Sequence, residues 1–143
     1  MTTAQRLAAI DRLCSREPAA GHPGAVSDGP AHPFADLTPP VAEGAEGVLG
    51  PGEAEEQLYA EREALARPLT ARHGEPDFIG LQGVFLRSTD PGAVPEPWRS
   101  LSSRAGDALV WRTSARWLVL AITREGPEIP PRLLAVVTAV DPP

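Results

Sequence analysis

The stretch "HGEPD" gathers His73, Glu75 and Asp77 within five consecutive residues. An imidazole and two carboxylates brought together at a helix-to-strand corner could serve as the polar site of a small hydrolase. Arg124 or Glu125, met in space, would complete a cleft around this corner. The same residues also describe a helix ended by Gly74 and stopped by Pro76, which needs no chemistry. Elsewhere reactive groups are sparse. The other histidines, His22 and His32, stand among prolines, and no histidine pair has the spacing of metal ligands. Cys14, the sole cysteine, excludes an internal disulfide and a cysteine-rich zinc site, and it reads as a small core residue. The serines of "SLSSR" lack the strand-to-helix elbow of a hydrolase, and "GAEGVLGPG" lacks the lysine and hydroxyl of a phosphate loop. No catalytic residue, metal or cofactor is therefore assigned.

A different kind of chemistry lies in "VWRTSARWLVLAI", residues 110–122. Two apolar runs flank Ser114 and Ala115, and a turn there pairs Arg112 with Trp117, Trp111 with Leu118, Val110 with Val119 and Leu109 with Leu120. One face then carries Leu109, Trp111, Leu118, Leu120 and Ile122 and belongs to a core. The other carries Ala108, Val110, Arg112, Trp117, Val119 and Ala121, with the Arg112 guanidinium placed to stack on the Trp117 indole. Arginine and tryptophan are the side chains that anchor protein interfaces. Arg112, Trp117, Val110 and Val119 are accordingly the candidate binding residues, unless another segment of the chain covers them.

The charge balance narrows the range of partners. The chain has 143 residues, a net charge of −6 and 13 basic residues, all of them arginine. An acidic chain lacks the basic stripe that releases counterions from nucleic acid, so a DNA-binding regulator is disfavoured. The N-terminus lacks a secretory pattern, and no apolar run of the ~18 residues that a membrane span needs occurs. A cytoplasmic, membrane-free location is the expectation.

These residues need elements to hold them. Residues 3–16 read as a short amphipathic helix with Leu7, Ile10 and Cys14 on its stripe. The chain has 17 prolines and 13 glycines, many concentrated in residues 19–52, which read as a linker after a helical arm of residues 1–18. Residues 53–67 form the clearest helix, with Pro68 expected to kink it or start a second one before Gly74 ends the segment. "DFIGLQGVFLR", residues 77–87, reads as a strand, and one helical turn is expected from Pro97. Residues 131–139 favour a final helix led by proline, although their β-branched content equally allows a strand. The expected fold is α+β: a small two-layer domain at residues 53–143, with an antiparallel sheet of about three strands packed on a long helix.

The segments "LTARHGEP", "VPEPW", "WRTSARWLVLAI" and "PPRLLAVVTAVDPP" resemble small proteins of actinobacteria such as the streptomycetes. The likeness spans roughly residues 57–143 and implies a GC-rich bacterial origin. That group has no assigned activity, so the resemblance transfers no catalytic residue. Size, acidity and the missing motifs favour a non-enzymatic binding module of adaptor, chaperone or immunity type, engaging a protein partner or a second copy of itself as a homodimer. The alternative is a small hydrolase acting at His73, Glu75 and Asp77.

Overall fold

The computed structural model describes residues 2–15, 34–38, 51–90, 92–113, 116–125 and 130–143. In chain order the elements are α1 (Thr3–Ser15), β1 (Phe34–Asp36), α2 (Pro51–His73), β2 (Asp77–Gly80), α3 (Gln82–Arg87), α4 (Trp98–Arg104), β3 (Asp107–Arg112), β4 (Trp117–Thr123) and β5 (Arg132–Thr138). The strands form one antiparallel sheet in the order β1-β5-β4-β3-β2. The α+β class is as expected, but the sheet has five strands rather than about three.

The β3–β4 hairpin has the expected register, with Arg112 opposite Trp117, Trp111 opposite Leu118 and Val110 opposite Val119. Residues 114 and 115, read as the turn, lie outside the described residues. The flanking pair is closed by the Thr113 amide and hydroxyl, which both donate to the Arg116 carbonyl at 2.8 Å. β5 replaces the expected C-terminal helix. Leu133, Ala135 and Val137 are buried on one face and Val136 and Thr138 on the other. An apolar run buried on both sides is the signature of a central strand, and β5 lies between β1 and β4.

The segment 77–87 divides in two. Asp77–Gly80 is strand, whereas Leu81 and Val84 are buried at helical spacing and turn the remainder into α3. α2 runs unbroken through Pro68 to His73. Proline removes the bond to the Ala64 carbonyl, but Ala64 is exposed and Pro68 lies off the Leu58, Leu65 and Leu69 stripe that carries the packing. The helix ends as its sequence dictates: Gly74, at φ +90°, donates its amide to the Thr70 carbonyl at 2.9 Å.

Most of the expected linker lies outside the described residues, but 34–38 adds β1 to the sheet. Leu37 is fully buried there, and its amide donates to the Leu133 carbonyl at 2.8 Å. α1 is capped by a reciprocal pair: the Gln5 amide donates to Thr2 Oγ1, and the Thr2 amide donates to Gln5 Oε1. Its buried side is Arg6, Ile10 and Leu13, with Leu7 and Cys14 only half-buried, so the face is rotated from the expected stripe.

Helices cover both sheet faces, giving a third layer that the two-layer expectation lacked. On one side α1 and α2 enclose a cluster including Ile10, Leu58, Leu69, Trp111, Leu118 and Leu133. On the other, α3 and α4 enclose Val84, Trp98, Leu101, Val110, Val119 and Val136. The charged side chains within this architecture are tethered. Arg6 is 2% exposed; its Nε donates to the Leu37 carbonyl at 3.0 Å and its Nη1 to Glu61 Oε2 at 2.6 Å, so one guanidinium joins α1, β1 and α2.

Removing a buried partner leaves polar groups unpaired, so Arg6→Ala should cost about 3 kcal/mol in chemical denaturation. Arg72→Ala, at the exposed Arg72–Asp11 pair, should cost less than about 1 kcal/mol in the same measurement. At β1, burial raises the Asp36 carboxyl's affinity for protons, but the Thr38 hydroxyl and amide and the Arg132 guanidinium outweigh it and hold the pKa below the ordinary value. The folded state therefore gains stability from the ionised group above about pH 4 and loses it as pH falls through the depressed value. Asp36→Asn should flatten that part of the acid limb of a stability–pH curve.

Candidate interaction surface

Each of the expected binding residues has a defined place at the turn end of the β3–β4 hairpin or below it. Arg112 is exposed, and its guanidinium carbon lies 5.2 Å from the centroid of the Trp117 ring. Trp117 is half-buried, and its Nε1 donates to Asp141 Oδ1 at 3.0 Å. Val110 and Val119 lie deeper, buried beneath α4 with Trp98 and Leu101. The C-terminal segment is drawn over this end from a second point, because Trp98 Nε1 donates to the Val140 carbonyl at 3.1 Å. The third tryptophan, Trp111, is fully buried under α2 and donates Nε1 to Thr70 Oγ1 at 3.3 Å. All three indoles thus satisfy their single donor while packing two different faces.

The polar corner is less organised. His73 is half-buried at the end of α2, while Glu75 and Asp77 are exposed. Among the described residues no hydrogen bond or ion pair joins these three. Arg124 and Glu125 do not turn toward them: Arg124 pairs with Glu55 of α2, and Glu125 with Arg104 of α4 at 3.0 Å. Cys14 is half-buried, and burial pushes its thiol pKa up, Arg116 opposing and Asp11 reinforcing the shift. A raised thiol is a poor nucleophile at neutral pH. His22 and His32 lie outside the described residues, and no metal-binding cluster occurs among those that are described.

Arg62 is the other buried charge. Its Nη1 donates to Asp107 Oδ1 at 2.7 Å and its guanidinium lies 4.9 Å from the Tyr59 ring, leaving Nε without a partner. Asp107 begins β3 and Thr70 reaches Trp111 near its end, so these two contacts align α2 along β3.

The feature that composition and pairing did not disclose lies around β2. Phe78 is 66% exposed, Phe85 46% and Leu86 65%, whereas the apolar residues between them, Leu81 and Val84, are buried. Ile79 packs into the cluster under α4, on the sheet face opposite to that of Phe78. Phe78 lies opposite Leu109, on the sheet face that α2 covers, but at the strand where that cover ends. Large apolar side chains left exposed within one short segment, here residues 78–86, are candidate contact points. The alternation in "DFIG" was the sequence signal available, although nothing in it separates an exposed edge from a core strand.

No family model, curated protein or solved structure matches the chain. No helix among the described residues is long and apolar enough to cross a membrane.

The indole environments predict a graded response to truncation. Trp111→Ala should cost about 4 kcal/mol, as for a buried aromatic side chain. Trp117→Ala should cost about 1–2 kcal/mol for its half-buried ring, and Arg112→Ala less than about 1 kcal/mol, measured by urea denaturation. Equal losses for Arg112→Ala and Trp111→Ala would refute this division between core and surface.

Proposed function

We propose that this chain is a non-enzymatic protein-interaction module, and that the surface around β2 and α3 is its principal contact. The observation that supports this is the outward display of Phe78, Phe85 and Leu86 within one short segment, beside central strands buried on both sheet faces; Phe34 and Tyr59 are the other large apolar side chains left exposed among the described residues. Exposing three such groups costs solubility and contributes little to folding, which is the balance expected where a partner supplies the missing cover. The hairpin end offers a smaller, more polar patch in the Arg112–Trp117 stack, with Val110 and Val119 serving it from below. Trp117 is already engaged by Asp141, so that end reads first as the fastening of the C-terminal segment and second as a contact. A cytoplasmic setting accords with a single half-buried thiol, and a negatively charged surface accords with protein rather than nucleic-acid partners.

Affinity capture from the native lysate should be run in parallel with wild-type protein, a Phe78→Ser/Leu86→Ser double variant and Trp117→Ala. Both serine changes are at exposed positions, so the melting temperature should shift by no more than about 4 °C while the specific partner is lost. A partner lost only in Trp117→Ala would move the contact to the hairpin end. Folded wild-type protein that retains nothing would count against the interaction reading.

A further inference from the structure

We propose that the outer edge of β2 accepts an extended, basic segment of a partner protein as a sixth strand of the sheet, an inference that rests on the interaction reading above. The backbone supplies the first part of the argument. The Leu81 amide donates to the Gly106 carbonyl at 2.9 Å, and Ile79 opposite Ala108 and Asp77 opposite Val110 continue the same alternate series. In an antiparallel ladder alternate residues aim both backbone groups at one neighbour. Asp77, Ile79 and Leu81 therefore serve β3, and the amides and carbonyls of Phe78 and Gly80 point away from it. Among the described residues no strand takes them up.

Natural edge strands are normally blunted by inward charges, prolines or bulges. Here Pro76 precedes the strand, and the two outward-pointing positions are a phenylalanine and a glycine. Nothing lies within 4 Å of where a Cβ on Gly80 would stand, so the sheet face above Gly80 is open to a side chain of an incoming strand. The incoming side chains are also specified. Phe78 and Gly80 share one face, and Asp77 and Ile79 share the other. A strand laid alongside therefore presents apolar residues to Phe78 and, on the opposite face, residues that lie beside Asp77.

Charge selects the partner. Glu75 and Asp77 are exposed at the head of the strand. The Arg6–Glu61 and Arg72–Asp11 pairs mark the flank of α2 that faces α1, and Tyr59, Glu56 and Glu63 are exposed elsewhere on that helix. Arg67, Arg87 and the exposed Arg112, which lies one alternate position beyond Val110, the partner of Asp77, offset this acidity in part. An antiparallel pairing of two copies through β2 would bring two such rims together in molecules that each carry −6. A cationic strand alternating with apolar residues meets neither obstacle.

The test uses the full chain, isotopically labelled, and three synthetic peptides. One alternates valine with lysine or arginine, a second replaces the basic residues by glutamate, and a third carries N-methyl groups on the pairing side of the basic peptide. The basic peptide should shift the Phe78, Ile79 and Gly80 amide resonances and slow hydrogen exchange at Phe78 and Gly80. Its binding should weaken as salt is raised, disappear on N-methylation, and fall by about tenfold or more in Phe78→Ser. Unprotected Phe78 and Gly80 amides, or equal binding of the glutamate or N-methylated peptide, would overturn the proposal. A captured partner that needs Phe78 but leaves the Gly80 amide exchanging freely would overturn strand addition while leaving the interaction module standing. Protection of both amides by self-association, without peptide, would overturn it in favour of a second copy. Absence of any Phe78-dependent binder would remove the interaction reading itself.

Discussion

Strands β3, β4 and β5 are apolar on both faces, and neither face can be left to water. From this one constraint the remaining architecture follows. Leu109, Trp111, Leu118, Leu120, Leu133 and Val137 require cover on one side, which α1 and α2 supply through Ile10, Leu13, Leu58, Leu65 and Leu69. Ala108, Val110, Val119, Ala121 and Val136 require it on the other, which the shorter α3 and α4 supply through Val84, Trp98 and Leu101. Small residues on the second face suit short helices lying close to the sheet, and Trp98 is fully buried in the same cluster as Ala108 and Ala121. Each strand in the middle gains two neighbours, and the polar backbone is satisfied by the ladder.

Polar groups trapped by this packing are disposed of locally. Arg6 could not be buried by an amphipathic helix alone, since an isolated charge in the interior is prohibitively unfavourable. It is tolerated because the end of β1 offers a carbonyl and α2 offers a carboxylate at the same point. Arg62 is held less completely, by Asp107 and the Tyr59 ring, with its Nε unsatisfied. The two arginines do different work: Arg6 fixes α1 and the β1 segment to the body, whereas Arg62 sets the position of α2 over the start of β3. The helices are thus tied to the sheet and to each other by one buried arginine on each of α1 and α2.

Local signals in the sequence were sufficient wherever a single neighbour decided the outcome. The hairpin register followed from two apolar runs of matched length, and the end of α2 followed from Gly74 with Pro76 behind it. They failed where a distant segment decided. β5 has the composition of either element, and only its insertion between β1 and β4 makes it a strand. β1 is three residues embedded among prolines and glycines, and its pairing with β5 has no local counterpart. Pro68 is expected to kink the helix or to start a second one because its missing bond is visible in the sequence and the packing of Leu65 and Leu69 is not. The candidate binding residues show the same division: stacking of Arg112 on Trp117 was legible from the register, and burial of Val110 and Val119 under α4 was not.

The exposed segment is the harder case, because hydrophobicity carries no sign of which way a side chain points. Phe78 and Trp111 are both aromatic residues on strands of one sheet, yet one is 66% exposed and the other fully buried. What separates them is position in the sheet: β3 has neighbours on both sides and α2 above, while β2 is the last strand and the helix has already passed. A sheet that needs cover over its central strands need not provide it at its margin, and evolution is free to use that margin or to blunt it with charge. Here the outward positions are Phe78 and Gly80, neither of which repels an approaching strand, while the acidic residues are set around them rather than among them. An edge so arranged discriminates by charge at a distance and by backbone pairing on contact, two selections made by different groups within one short strand.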